Sequence, residues 1–266
     1  RGFVLVPTQE EGMSLLSSRH IQSYRDMPVT LYQIQTKFRD EPRPRGGLIR
    51  LREFTMKDAY SFDTGWDTLD ASYDAAFDAY VRIFQRAGIP VIPVAADSGA
   101  IGGKDSQEFV FLTSDGEDGI LLCPGCGYAA NAEKAEFAPP PPIAGELLPV
   151  EKVHTPGIKT IADLARFLGI EERQTVKAVF YKADGKPVFV AIRGDLEVNE
   201  VKLKNTLKAK DVEPMDDAMV RAVGLVPGSA SAVGLAGMPV IADTSAVNAP
   251  NLAAGANESD YHLLNT

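Results

Sequence analysis

The sequence predicts an α+β protein in two domains, on three observations. Val29 to Phe38 (VTLYQIQTKF) and Leu48 to Met56 (LIRLREFTM) alternate apolar and polar residues around a turn-rich loop, as paired half-buried strands do. The run Ala138-Pro139-Pro140-Pro141-Pro142 then interrupts every periodic pattern, because consecutive prolines remove backbone donors and favour extended geometry. Beyond it, two apolar runs meet at Asp184-Gly185, a strong hairpin signal. Residues 1–137 and 138–266 are each long enough for a core of their own, and no internal repeat links them.

In the first half, Phe3 to Val6 reads as a strand and Glu10 to Ile21 as a helix. The two alternating strands follow. Asp67 to Ala87 has helical periodicity, and strand-like runs centre on Val91, Phe109 and Leu121. The second half opens with a helix from Thr160 to Leu168, started by Thr160 with Asp163 three residues on. Strands follow over Val176 to Tyr181 and Pro187 to Ile192, then a helix over Asn199 to Leu207. From Val223 the chain is rich in Gly, Ala, Ser and Pro, which suits small strands and tight turns.

Composition limits the function classes. The chain has 266 residues, 45% hydrophobic and 24% charged, which excludes general disorder. No apolar run approaches the ~18–20 residues of a membrane span. The first residues carry no secretory leader pattern and no initiating Met, so the chain reads as a piece of a longer protein. Two cysteines make no disulfide framework and point to a reducing cytoplasm. A net charge of −9 argues against a general nucleic-acid coat. Yet Lys37 to Lys57 holds seven Lys/Arg against three Asp/Glu, a local excess of four positive charges.

That cluster lies on the hairpin Phe38-Arg39-Asp40-Glu41 … Arg50-Leu51-Arg52-Glu53-Phe54. Arginines on either side of a hairpin can grip a polyphosphate, since the guanidinium fork matches phosphate oxygens. Glu41 can accept from an exocyclic amine, and Phe54 offers a ring for a base to stack on. The competing reading is a solvated hairpin with surface ion pairs. Cys123-Pro124-Gly125-Cys126 looks like half a zinc site; no second pair exists, and a reduced knuckle-like turn without metal is expected.

FRDEPRPRGGLIRLREFTMKDAYSFD closely resembles motif 2 of class II aminoacyl-tRNA synthetases, in the form found in bacterial-type prolyl-tRNA synthetases. Val6-Pro7-Thr8-Gln9-Glu10-Glu11 is similar to that family's proline-binding loop. SYRDMPVTLYQIQTKFRDE, Ala96-Asp97-Ser98-Gly99-Ala100-Ile101-Gly102-Gly103, Glu108-Phe109 and CPGCGYAANAEKAE match in order. The resemblance implies that Arg39 holds the α-phosphate of ATP, Arg50 the phosphates and Glu41 the adenine amine, with Phe54 stacked on adenine. It assigns Thr8, Glu10 and Glu108 to proline, a carboxylate being what its secondary ammonium needs. Catalysis is then positioning and charge neutralisation around in-line attack on the α-phosphate, with Arg39 central and no protein nucleophile. ATP implies Mg2+, for which no ligand is named. The fold implied is a partial class II antiparallel sheet flanked by helices.

The second half resembles the YbaK-like editing domain inserted after motif 2 in many bacterial prolyl-tRNA synthetases, a compact mixed α/β deacylase. The matching pieces are Thr155 to Ile161, Thr175-Val176-Lys177, Arg193-Gly194-Asp195, Asn199 to Lys202, Gly228-Ser229, Ile241-Ala242-Asp243, and Gly255-Ala256-Asn257 with His262. A pocket that accepts proline cannot strongly reject smaller alanine, since a missing methylene is worth only ~1–3 kcal/mol, so a second hydrolytic sieve is added. By position, Lys177 is the editing lysine, with Gly228, Asp243 and His262 lining the pocket. Read bare, Lys177 is a solvated strand amine and His262 a surface residue.

The implied parent ligates proline to tRNA(Pro), hydrolyses Ala-tRNA(Pro), works in the cytoplasm and is a homodimer. The alternatives are a piece acting only as a deacylase, and a non-catalytic tRNA-binding relic. Val6, Gln9, Gly46 and Gln107 depart from the family pattern beside the proline site. Motif 1, motif 3 and the anticodon-binding domain are missing from the match.

Overall fold

The computed structural model describes residues 5–99, 102–103, 105–138 and 145–266, and the proline run at 139–142 falls outside them. The chain divides into two units, Arg1–Ile92 and Pro93–Thr266. This division lies well before the proline run, because the segment just ahead of the run bonds to residues beyond it. Lys202 Nζ donates to the Ala135 carbonyl at 2.6 Å, and Asn205 donates to Asp97 at 2.7 Å.

Unit 1 holds α1 (Glu10–His20), β1 (Val29–Phe38), β2 (Glu53–Phe62) and α2 (Trp66–Ala87), with a single 3-10 turn at Tyr24–Asp26. The strands pair antiparallel, Val29 opposite Phe62 and Phe38 opposite Glu53. β2 begins at Glu53 rather than at Leu48. Gly46 and Gly47, at φ +67° and +63°, turn the chain back, and Arg45 bridges to Arg50 before the ladder starts. Alternation gives the hairpin two faces: Gln33, Lys37, Phe54, Asp58 and Tyr60 share the more covered one, while Tyr32 and Ile34 on the other are 68% and 66% exposed. α2 ends on Gly88 in the left-handed region, whose amide caps Phe84 and Gln85.

Unit 2 contains three small sheets. β3 (Val91–Ala95), which begins at the unit boundary, joins β4 (Gln107–Phe111), β5 (Ile120–Leu122) and β6 (Ala129–Asn131) in the order β4-β3-β6-β5. β3 and β6 run parallel, so this sheet is mixed. The antiparallel sheet expected for the first half is therefore not found as one sheet among the described residues: β1 and β2 pair antiparallel by themselves, and β5 and β6 do so within the mixed sheet.

β7 (Glu151–His154) leads to α3 (Ile161–Leu168), capped by the Thr160 hydroxyl accepting from the Asp163 amide. β8 (Val176–Ala183) and β9 (Lys186–Arg193) form the anticipated hairpin, with Asp184 and Gly185 both at positive φ. α4 (Glu200–Leu207) starts at Asn199, whose side chain accepts from the Lys202 amide. β10 (Val212–Pro214), α5 (Asp217–Ala222), β11 (Val240–Ala242), α6 (Thr244–Val247), β12 (Ala254–Gly255) and β13 (Tyr261–Leu264) complete the unit. The sheets here are β10-β8-β9-β11, with β11 parallel to β9, and β12-β13-β7. Two apolar clusters cover opposite faces of the β8–β9 ladder, one around Phe180 and Phe189 and one around Tyr181, Val188 and Val190. Mixed α/β is the class expected for the second half; the class II synthetase sheet expected for the first half is not shown among the described residues.

Candidate functional site

Four residues expected to hold ATP lie on one hairpin. The Arg39 guanidinium sits 5.2 Å above the centre of the Phe54 ring, and Arg50 Nε lies 3.1 Å from the Glu41 carboxylate. The Arg39 amide donates to the Arg52 carbonyl, closing the ladder, and Arg52 Nε donates to the Glu41 carbonyl at 2.8 Å. Arg52 thus holds the loop while Arg39 stays exposed. Arg39 and Arg50 do not face each other from partner strands; both belong to the loop end of the hairpin, where Arg50 closes the bridge to Arg45.

Thr8 and Glu10 also come together: the Thr8 hydroxyl donates to the Glu10 carboxylate at 2.6 Å, at the start of α1. A polar network that sequence reasoning missed lies alongside. Asp58 Oδ2 accepts from the Tyr60 hydroxyl at 2.5 Å and from Gln33 Nε2 at 2.8 Å, and Lys37 Nζ stands 3.3 Å from Asp58 Oδ1. Lys37 is fully buried. Burial pushes the Asp58 carboxyl up, but the hydrogen bonds from Tyr60, Gln33 and Lys37 outweigh it and hold the group below its ordinary 3.8. Tyr60 is pushed up to about 12, first by burial and then by Asp58, and its hydroxyl also meets that of Thr8. The strand register carried the signal: Gln33 pairs with Asp58, and Lys37 is on the same face four residues on. Glu108, the remaining residue expected at proline, is exposed on β4 of unit 2.

In unit 2 the editing residues separate into two neighbouring cavities. Lys177, Gly228 and His262 line one of about 80 Å³, with Lys159, Thr160 and Ile161. Asp243 lines a larger one of about 590 Å³ with Arg193, Leu196 and Glu197. The structure therefore does not bring Asp243 to the small cavity. Its carboxylate caps α6, accepting from the Ser245 amide at 2.9 Å. Lys177 connects the two cavities: β8 carries it past the small one, while its ammonium donates to the Leu196 carbonyl at 2.9 Å and to Glu197 at 2.5 Å.

His262 is no surface residue. It is 4% exposed, and its Nδ1 lies 2.6 Å from the hydroxyl of Thr155, itself fully buried. Burial pushes the imidazole below its ordinary 6.5, so the ring is neutral at neutral pH. Gly228 sits at φ +81°, and a side chain there would meet the stem of Lys159 at 3.4 Å. Gly255, paired with His262 across β12 and β13, is tighter still. A Cβ there would lie 2.3 Å from the Ala230 carbonyl oxygen. In the larger cavity, Arg193 grips Asp195 through two bonds of 2.6 and 2.9 Å. Among the described residues no helix is long and apolar enough to cross a membrane. No group of three or more His, Cys, Asp or Glu there could hold a metal ion.

Comparison with known proteins defines the class first. Residues 155–266 match the aminoacyl-tRNA editing domain family, which takes in Lys177, Gly228, Asp243 and His262. The chain as a whole aligns with the proline–tRNA ligase of Dehalococcoides mccartyi, 55% identical over 265 residues, covering all of this chain and 47% of the relative. The proline–tRNA ligase of Syntrophus aciditrophicus is 48% identical over 269 residues, again across the whole chain and 46% of the relative. A solved structure described as a candidate trans-editing enzyme for prolyl tRNA synthetase aligns at TM-score 0.40 and 18% identity. It covers 44% of this chain and 76% of its own. The chain is thus similar over its whole length to proline–tRNA ligases, and over residues 155–266 to the aminoacyl-tRNA editing domain family; it spans about half the length of the curated relatives it matches.

Proposed function

We propose that residues 138–266 act as a hydrolytic editing module that removes alanine from tRNA(Pro), beside a portion of a ligase that joins proline to the same tRNA. The observation that carries this reading is the single small cavity shared by Lys177, Gly228 and His262. At about 80 Å³ it is far below the ~300–1,000 Å³ of ordinary ligand pockets. It suits the side chain of a small amino acid, with the nucleotide left outside, and a prolyl ring is the larger fit.

Hydrolysis adds a water oxygen to the ester carbonyl carbon, breaks the bond to the ribose oxygen, and returns a proton to that oxygen. Negative charge develops on the carbonyl oxygen and then on the ribose oxygen. The Lys177 ammonium, with three donors and a short swing away from Glu197, supplies positive charge where either forms. His262, neutral and tied to Thr155, shapes the wall of the cavity.

In the ligase reading, Phe54 stacks on adenine once Arg39 leaves its face for the α-phosphate, Arg50 takes phosphate, and Glu41 the adenine amine. Thr8 and Glu10 receive proline. A proline carboxylate oxygen attacks the α-phosphorus in line and pyrophosphate leaves. Mg2+ would come with the ATP phosphates, needing only one or two carboxylates from the protein. A second reading, a deacylase without ligase activity, is favoured by the placement of Lys177, Gly228 and His262 with both apolar clusters inside unit 2.

The test is hydrolysis of end-labelled Ala-tRNA(Pro) beside Pro-tRNA(Pro), with Lys177→Ala as control. Selective, lysine-dependent loss of alanine supports the editing reading. No hydrolysis by folded protein removes it. Proline-dependent exchange of pyrophosphate into ATP separates the ligase reading from the deacylase alone.

A further inference from the structure

The turn Cys123-Pro124-Gly125-Cys126 between β5 and β6 plays no part in the chemistry above. Its conformation is set by backbone bonds: the Cys123 amide donates to the Tyr128 carbonyl at 2.8 Å, and the Gly127 amide to the Cys123 carbonyl at 2.9 Å. Gly127, at φ +76°, lets the chain re-enter β6. Both cysteines are exposed and reduced. The Cys123 sulfur lies over Gly125, 4.0 Å from where a Cβ would stand. The Cys126 side chain and the amides of Cys126 and Gly125 draw the Cys123 thiol below the ordinary 9.0.

Each feature favours a thiolate at Cys123. A thiol drawn below its ordinary value holds more of the nucleophilic thiolate at neutral pH. The Cys126 side chain is the largest of the influences that lower that value. The bond from the Gly127 amide to the Cys123 carbonyl closes a single turn over 123–127, which holds both cysteines on one short loop. A metal ion would need about four ligands. Among the described residues, no third His, Cys, Asp or Glu joins the pair.

We propose that Cys123 and Cys126 form a thiol–disulfide exchange couple, with Cys123 attacking low-molecular-weight disulfides and Cys126 resolving the product. The Cys123 thiolate attacks one sulfur of the disulfide and expels the other half as a thiolate. Cys126 then loses its proton to water, attacks the Cys123 sulfur, and expels the second thiolate. Two protein thiols are oxidised to one disulfide, and the reagent is reduced to two thiols. The resulting ring closes within the β5–β6 turn and leaves the ladder of β5 and β6 intact.

The test treats the whole chain with excess oxidised glutathione, then measures intact mass and free thiols. The expected product has lost two hydrogens and both thiols, carries no glutathione, stays monomeric on a non-reducing gel, and returns to the starting mass with a reducing dithiol. Cys126→Ser is expected to trap glutathione on residue 123, and Cys123→Ser to react at least tenfold more slowly than wild type. A stable glutathione adduct on the wild-type chain overturns the proposal, as does a disulfide linking two chains. Equal rates for the two serine variants overturn the assignment of roles. One zinc ion held per chain and blocking oxidation identifies a metal site instead. Both serine variants keep the turn's backbone bonds, and far-ultraviolet circular dichroism of each checks the fold.

Discussion

The imidazole of His262 meets the hydroxyl of Thr155 at 2.6 Å with both residues buried, so a strand near the C-terminal end of unit 2 is fastened to the residue after β7. Burial lowers the folded-state pKa of His262 below the 6.5 of the unfolded chain. Below that pH the unfolded chain takes up a proton that the folded one refuses. The stability of unit 2 is therefore full above 6.5 and falls as pH drops through that value, by at most ~1.4 kcal/mol per pH unit from this group. Chemical denaturation of the chain between pH 7.5 and 5.5 checks it, with His262→Asn expected to flatten the slope. Thr155→Val, which strips the ring of its partner, is expected to cost about 1–3 kcal/mol at pH 7.5.

Lys177→Ala is expected to lower hydrolysis of Ala-tRNA(Pro) by about 10²–10³, the usual loss for one donor to a developing oxyanion. Its ion pair with Glu197, which is largely exposed, contributes only ~0–1 kcal/mol, so the melting temperature stays nearly fixed. A drop in rate with an unchanged melt separates a chemical role for the lysine from a structural one. A rate within threefold of wild type ends the assignment.

Gly255→Ala forces a methyl group to within 2.3 Å of the Ala230 carbonyl oxygen, with backbone on both sides and no flexible side chain to yield. Overpacking of this kind costs about 1–3 kcal/mol. Hydrogen exchange of β12 and β13 in this variant is expected to rise well before that of the β8–β9 ladder.

In unit 1, Asp58→Ala leaves the ammonium of Lys37 buried without its carboxylate and is expected to cost about 3–5 kcal/mol. Replacing both, as Lys37→Met with Asp58→Leu, recovers most of that loss. Trp66, the chain's single tryptophan, lies at the start of α2 and makes its fluorescence a probe of this unit. The carboxyl of Asp58 is held below 3.8, so its contribution is present above that pH and fades as the solution is acidified through the folded-state value.

Much of the fold is legible because local signals agree with the tertiary answer. Strand β1 has the bounds that alternation gives it, Thr160 caps α3, and Asp184-Gly185 turns the β8–β9 hairpin with both residues at positive φ. The start of β2 was misread because LIRLR alternates like a strand, while Gly46 and Gly47 bend it into the loop. Alternation records which face a residue could share and says nothing of whether a partner strand is within reach.

The candidate site was legible unevenly for a related reason. Lys177, Gly228 and His262 converge, but Asp243 follows β11 into the larger cavity, a placement set by parallel pairing with β9 that no local pattern announces. Thr155 and Glu197, the partners that fix His262 and Lys177, are 107 and 20 residues away along the chain. Only the folded topology joins them.

The strands β7 and β13 lie side by side, with Glu151 opposite Leu264, so the two ends of the stretch from 151 to 264 adjoin. A segment with adjoining ends can be spliced into a loop of another protein while barely stretching its host, since the gap it must span is that of two neighbouring strands. Such a segment can be gained or lost as a unit without rethreading anything on either side.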